Sequence, residues 1–179
     1  MLTRRRALAA LALPATLPLA GCWESLGLLN PCANADDPGH RVDPRLAARA
    51  WAGLDPGKVL DLHVHVAGEG PGADDPWVNP AMKSPANPFS WAHFALVANA
   101  ACTGADPADW SRRYLRRLEA LAAEFPAGVR FLLLALDGFR GEDGRLDRTR
   151  TVFTVPDAYV ARIARENPER FLWCASVHP

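Results

Sequence analysis

Residues 59–66 read Val-Leu-Asp-Leu-His-Val-His-Val and hold the side chains with the clearest capacity for chemistry. Successive side chains of a β-strand point to opposite faces, so Asp61, His63 and His65 are predicted to share one face. Histidines at positions i and i+2 lie about 7 Å apart at the backbone, which allows both imidazoles to reach one ion. The pattern therefore predicts a site for a divalent metal, and imidazole ligands favour zinc.

The same spacing also occurs in ordinary strands in which one face is in contact with water. The chain contains five histidines, and a His-x-His pair arises by chance in roughly one such sequence in seven. The surrounding sequence must therefore separate a metal site from an ordinary strand.

The charge balance excludes one class of function. The 179 residues include 20 Lys and Arg and 20 Asp and Glu, and the arginines are dispersed. Proteins that bind nucleic acid normally present a massed basic surface, so we exclude nucleic acid as a partner. The hydrophobic fraction of 49% is typical of a globular domain.

Residues 1–22 have the composition of an export signal. Three arginines precede an apolar segment, residues 7–20, which is too short and too rich in proline to span a bilayer. Residues 19–22, Leu-Ala-Gly-Cys, resemble the lipobox of bacterial lipoproteins, in which the cysteine is lipidated and begins the mature chain. We expect a periplasmic or cell-envelope protein anchored to the membrane through Cys22. Plain cleavage and an uncleaved anchor are the alternatives.

Residues 23–54 are predicted to form a tether followed by a short helix. A disulfide between Cys32 and Cys102 is compatible with export, although the spacing does not require it. Cys174 lies in an apolar segment and is predicted to be a buried hydrophobe.

Residues 55–179 alternate between strand patterns and helix patterns. The predicted strands lie at 59–66, 129–136 and 171–177, and the predicted helices at 88–101, 107–125 and 157–166. The continuous apolar run at 129–136 predicts a strand buried on both faces, which is typical of a parallel sheet covered by helices. Crossover helices place the carboxyl ends of the strands at one edge, where four polar residues would gather: His63, His65, Asp137 and His178.

The predicted helices are expected to pack on this sheet through apolar side chains. The helix at 88–101 is expected to bury Phe89, Phe94, Leu96 and Val97, with His93 as a helix-face residue. The helix at 107–125 carries an apolar stripe that includes Tyr114.

Four segments together resemble the amidohydrolase-related family of metal-dependent (β/α)8 barrels. They are Asp-Leu-His-Val-His at 61–65, Val-Ala-Gly at 66–68, Leu-Ala-Leu-Asp-Gly at 134–138 and Ala-Ser-Val-His-Pro at 175–179. The resemblance implies that His63 and His65 end the first barrel strand and bind a catalytic divalent metal, usually zinc. It also implies hydrolysis of a small organic substrate, with the metal polarising the substrate and activating a water molecule.

The resemblance covers about residues 55–179, which hold about three of the eight barrel strands. The family's remaining ligands come from later strands, and its general base is an aspartate that we expect beyond residue 179. We therefore expect residues 55–179 to be the N-terminal part of a TIM barrel. Two histidines leave a metal half-coordinated, so we expect this polypeptide alone to be inactive and poorly folded.

Three further residues are candidates for supporting roles. Asp137 and His178, at the predicted catalytic edge, are expected to contact substrate or to support the metal ligands. Asp61 lies deeper than the histidines, so a hydrogen bond in the barrel interior is expected for it rather than metal ligation.

Two alternative functions remain open at the level of sequence. Related barrels of the family are metal-dependent decarboxylases of aromatic or heterocyclic acids, and the first-strand motif is shared between the two activities. A lipid-anchored periplasmic binding module without catalysis would instead use His63 and His65 for metal sensing or scavenging. The sequence does not specify the substrate or the oligomeric state.

Overall fold

The computed structural model describes residues 43–103 and 107–177. The export signal with Cys22, most of the tether, Cys32 and His178 lie outside these residues. Helix α1, Pro44–Trp51, begins where the sequence predicts, because the Asp43 carboxylate accepts a 2.8 Å hydrogen bond from the Arg45 amide. None of the described helices is both long and apolar enough to cross a membrane.

A three-stranded parallel sheet forms the centre of the described chain. Its strands are β1 (Leu60–His65), β3 (Arg130–Leu134) and β5 (Phe171–Cys174), which neighbour one another in that order. The other elements are α2 (Pro88–Ala100), α3 (Pro107–Ala123), α4 (Asp157–Glu166) and a small antiparallel pair, β2 (Trp77–Val78) with β4 (Phe153–Thr154). The α/β class and the parallel sheet that the sequence predicts are confirmed.

One face of the sheet is covered by α3 and α4. Phe131, Leu133 and Ala135 of the central strand region are buried on this face, together with Phe171 of β5. The predicted packing side of α4 is confirmed, since its buried residues include Tyr159, Val160, Ile163 and Ala164. Helical periodicity thus placed the core residues of this helix correctly.

The other face of the sheet is open in the described residues. Leu132 and Leu134 alternate with the buried residues of β3 and are only half-buried, and Cys174 is an exposed free thiol. The prediction that 129–136 is buried on both faces is wrong for this part of the chain, and so is the predicted burial of Cys174. The reason is that both covering helices lie on the same side, while β1 and β5 are edge strands of the described sheet.

Helix α2 is more exposed than its composition predicts. Phe89, Leu96 and Val97 are 91%, 42% and 46% exposed, so their predicted burial is wrong. Phe94 does pack, with its ring edge-on to Trp110 of α3 at a centroid distance of 5.5 Å. The helix therefore contacts its neighbours through one side only.

Cys102, just after α2, is disulfide-bonded and only 4% exposed. Its backbone has a φ of 54°, a left-handed conformation that is uncommon outside glycine. Cys32, the partner considered from sequence, lies outside the described residues.

Candidate metal site

His63 and His65 meet at the carboxyl end of β1. Their Nε2 atoms are 2.9 Å apart, so one ring donates a hydrogen bond to the other. The rings are nearly perpendicular, at 78°, with centroids 4.7 Å apart, and both residues are exposed. The two imidazoles thus converge on one point in space, as the i, i+2 spacing predicts.

The separation of the two nitrogens is slightly shorter than that of two ligands of one zinc ion. At a zinc–nitrogen distance of about 2.0–2.1 Å, nitrogens 2.9 Å apart subtend an angle of about 90° at the metal, so the two rings would move apart to about 3.3 Å to reach the tetrahedral angle. The described residues contain no group of three or more His, Cys, Asp or Glu arranged to hold a metal. His63 and His65 therefore supply about half of a four-coordinate ligand set.

Asp61 does not follow the alternation that the sequence predicts. Asp61 pairs with Phe131, whereas His65 pairs with Leu134 after an irregularity in β1, and these two partners lie on opposite faces of β3. By register Asp61 thus falls on the face of Phe131 and His65 on the face of Leu134, although Asp61, His63 and His65 all line one cleft between β1 and helix α3. The Asp61 carboxylate instead accepts a 3.0 Å hydrogen bond from the His63 amide and stabilises the irregular backbone between them.

Helix α3 holds the chain at and after the second histidine. The Tyr114 hydroxyl donates a 2.8 Å hydrogen bond to the backbone carbonyl of His65. One turn earlier, the Ser111 hydroxyl accepts a hydrogen bond from the Glu69 amide at 2.8 Å and donates one to the Glu69 carbonyl at 2.9 Å. A Cβ added at Gly68 would lie 2.4 Å from the Ser111 oxygen, so this close approach requires glycine.

The sequence predicts neither the hydrogen bond of Tyr114 to His65 nor the two hydrogen bonds of Ser111 to Glu69. From sequence, Tyr114 was predicted only to be part of the apolar stripe of this helix. No local signal identifies its partner, which is 49 residues earlier in the chain. Burial raises the pKa of Tyr114, so the hydroxyl stays protonated at neutral pH and remains a donor.

Removing the Tyr114 hydroxyl is expected to weaken metal binding without unfolding the chain. Tyr114→Phe leaves the ring in place but removes the hydrogen bond to the His65 carbonyl. Because β1 is an edge strand of the described sheet, the backbone of His65 is then held less firmly, and its imidazole is oriented less precisely toward the metal. Outer contacts of metal ligands are worth about 10–100-fold in affinity, and we expect about 10-fold here because the contact is to the backbone. Zinc titration calorimetry measures the change.

Tyr159→Phe is the matched control for this substitution. Tyr159 is 2% exposed, burial raises its pKa, and a contact of its hydroxyl with Ser111 opposes that rise. Its ring packs in the core, and its hydroxyl makes no hydrogen bond to His63 or His65 among the described residues. Equal zinc affinities for Tyr114→Phe and the wild-type chain would contradict the positioning role of Tyr114.

Asp137 lies three residues after the end of β3, and its carboxylate and amide are hydrogen-bonded to Arg140 and Ser176. Its carboxylate accepts hydrogen bonds from Arg140 at 2.7 Å and 2.9 Å, and its amide donates to the Ser176 hydroxyl at 3.0 Å. Asp137, Arg140 and Ser176 line a cavity of about 540 Å³. His63 and His65 line a different cleft, of about 310 Å³, between β1 and α3.

The structure therefore brings His63 and His65 together and places Asp137 in a separate cavity. The gathering of all four predicted residues is not seen, since His178 lies outside the described part of the chain. Arg140 was also not predicted as a partner of Asp137, although its position three residues later places it within reach.

Comparison with known proteins gives no relative for this chain. No protein-family model, no curated protein sequence and no solved structure matches it.

Proposed function

We propose that His63 and His65 bind a divalent metal, zinc, in a hydrolase site of the amidohydrolase type that acts on a small organic substrate. The observation that carries the proposal is the 2.9 Å separation of two imidazole nitrogens at the carboxyl end of a parallel strand. This end of the strands is where α/β folds place their chemistry.

We further propose that the described sheet is three strands of a (β/α)8 barrel. Support comes from the order β1-β3-β5, in which each parallel strand is added on the same side of the previous one. Doubly wound sheets reverse this order, whereas a barrel continues it until the sheet closes. The open apolar face, with Leu132 and Leu134, is the face that would line the interior of such a barrel.

Each part of the site has a defined chemical task in this proposal. His63 and His65 hold the metal through Nε2, and Tyr114 fixes the backbone of the second ligand. A zinc ion bound there would lower the pKa of a bound water to about 7 and polarise a substrate oxygen. A hydrolytic reaction needs this combination of a nucleophile and an electrophile.

The 179-residue chain is expected to bind zinc but not to turn over substrate. Two protein ligands hold a metal weakly, and the described residues contain no group of three or more His, Cys, Asp or Glu that could hold one. The measurement is the rate of amide and ester hydrolysis with zinc and with chelator. A zinc-dependent rate that is lost in His63→Ala would contradict this expectation.

Two alternatives keep the metal and change its use. A binding module that senses or scavenges metal would use the same pair, His63 and His65. A decarboxylase would retain both histidines and release carbon dioxide, whereas a hydrolase would release ammonia or acid. Product analysis on a polypeptide with a complete ligand set separates these two reactions.

The location of the protein is proposed from sequence alone. Residues 19–22 support lipidation of Cys22 and a position in the cell envelope, with the mature chain tethered to a membrane.

A further inference from the structure

The charged segment between β3 and β4, residues 140–150, is held in place by hydrogen bonds. The side-chain amide of Asn79 donates to the backbone carbonyls of Arg148 at 3.0 Å and Thr151 at 2.9 Å. The Asp147 carboxylate accepts hydrogen bonds from the Thr149 amide at 2.9 Å and from the Thr149 hydroxyl at 2.6 Å. The backbone on both sides of residue 148 is therefore fixed, as in compact surface loops that carry a function.

The side chain of Arg148 is oriented by a tryptophan. Its guanidinium carbon lies 5.2 Å from the centroid of the Trp77 ring, and Trp77 is itself half-buried in the β2–β4 pair. Stacking of this kind uses the face of the guanidinium and leaves the N–H donors at its edge for another group. Within residues 43–103 and 107–177, Arg148 forms no ion pair. The described chain thus positions this charge but does not neutralise it.

Arg148 and Trp77 line the cavity of about 540 Å³ that also contains Asp137. The cavity lies beyond the carboxyl end of β3, and Leu136 and Val155 add apolar side chains to its lining. Ligand sites in proteins commonly have volumes of about 300–1,000 Å³, with apolar walls and a few directed polar groups. The size and the lining of this cavity therefore suit a small organic molecule.

The other charges of the cavity already have partners. The carboxylates of the lining contact groups of the described chain: Asp75 the Arg162 guanidinium at 3.8 Å, Asp137 the Arg140 guanidinium at 2.7 Å, and Asp157 the Ser176 amide at 2.9 Å. Asp157 also lies in the first turn of α4, where the helix dipole favours a negative charge. Arg140 further donates to the Gly144 carbonyl at 2.9 Å. Among the described residues, Arg148 is therefore the cation of the lining that a ligand can pair with.

We propose that this cavity binds a small organic carboxylate, with its two oxygens on the Arg148 guanidinium and its carbon chain against Leu136 and Val155. A carboxylate matches the planar guanidinium through two parallel hydrogen bonds. The three carboxylates of the lining disfavour a more highly charged anion such as phosphate. The proposal is independent of the metal, because His63 and His65 line a different cleft.

The test is a titration of the 179-residue chain with hexanoate at constant ionic strength. The side-chain ¹H–¹⁵N signals of arginine and tryptophan report binding, and Arg148→Gln identifies the signal of Arg148. We expect hexanoate to shift the signals of Arg148 and Trp77 saturably. Hexanamide, the uncharged counterpart, is expected to bind at least about 10-fold more weakly, because it lacks the charge-assisted hydrogen bonds.

Two substitutions of Arg148 separate the effect of charge from that of shape. Arg148→Gln removes the charge and is expected to weaken hexanoate binding at least about 10-fold. Arg148→Lys keeps the charge but lacks the planar fork, so we expect most of this loss in it as well. Because Arg148 is exposed, neither substitution should change the circular dichroism spectrum.

Arg145→Gln is the matched control. Arg145 belongs to the same charged segment, but its side chain is 89% exposed, its Nε lies 3.9 Å from the Asp143 carboxylate, and it does not line the cavity. Its replacement is expected to leave hexanoate binding unchanged.

Three results would overturn the proposal. They are no saturable shift with hexanoate, an equal loss of affinity in Arg145→Gln and Arg148→Gln, and binding of phosphate as tight as that of hexanoate. The second would indicate general attraction to a basic segment, and the third a site for inorganic anions. His63→Ala is expected to lose zinc binding and to keep hexanoate binding, so failure of this proposal is distinguishable from failure of the proposed metal site.

Discussion

Replacement of His63 or His65 by alanine is expected to lower zinc affinity by more than about 100-fold. Contacts that only orient a metal ligand are worth about 10–100-fold, so loss of a ligand itself must cost more. The two Nε2 atoms lie 2.9 Å apart, and neither imidazole alone offers a chelating site. Isothermal titration with zinc, in the presence of a weak competing chelator, gives the affinity of each variant.

His93→Ala is the matched control for these two variants. His93 is an exposed histidine of α2, in a helix without a second histidine. Its removal is expected to leave zinc affinity unchanged. Because both His63 and His65 are exposed, neither alanine variant should change the circular dichroism spectrum. If all three variants bind zinc as tightly as the wild-type chain, the histidine pair is not the metal site.

Leu133→Ala is expected to remove most of the stability of the described sheet. Leu133 is 0% exposed at the centre of the core between β3 and the covering helices. Truncation of a buried leucine costs about 2–5 kcal/mol, and complete domains are stable by only about 5–15 kcal/mol. A sheet with one open face buries less apolar surface, so its free energy of unfolding is expected to be smaller than that of a complete domain. The truncation of Leu133 therefore removes most of that free energy. Urea unfolding followed by circular dichroism provides the measurement.

Leu132→Ala, one residue earlier on the same strand, separates the two sheet faces. Leu132 is half-buried on the open face, so its truncation creates no closed cavity and should cost about 1 kcal/mol. The variant is expected to unfold much as the unsubstituted chain does, at slightly lower urea. Equal effects of both substitutions would show that the two faces are covered alike, which would contradict the described packing.

The local elements could be predicted because their signals are contained in short segments. Helix α1 begins with an Asp43 cap and a first-turn proline, and α4 shows apolar residues at helical spacing. The convergence of His63 and His65 also follows from a two-residue spacing within a single strand. These features need no information about the rest of the chain.

The remaining differences come from features that depend on distant parts of the chain. Hydrophobicity shows that Leu96 and Leu132 favour burial, but it does not show whether another element covers them. The contact between Tyr114 and His65 joins residues 49 positions apart, which no local pattern encodes. The irregularity in β1 removes Asp61 from the face of His65, because one extra residue reverses the alternation.

The most direct test of zinc binding by the histidine pair is a long-range ¹H–¹⁵N spectrum of the histidine rings recorded during zinc addition. The chain has five histidines, and His63→Ala and His65→Ala assign the two ring signals of the site. We predict that one equivalent of zinc shifts the Nε2 signals of both His63 and His65 and leaves the signal of His93 in place. No shift of these two signals, or equal shifts of all five histidines, would contradict a zinc site at the carboxyl end of β1.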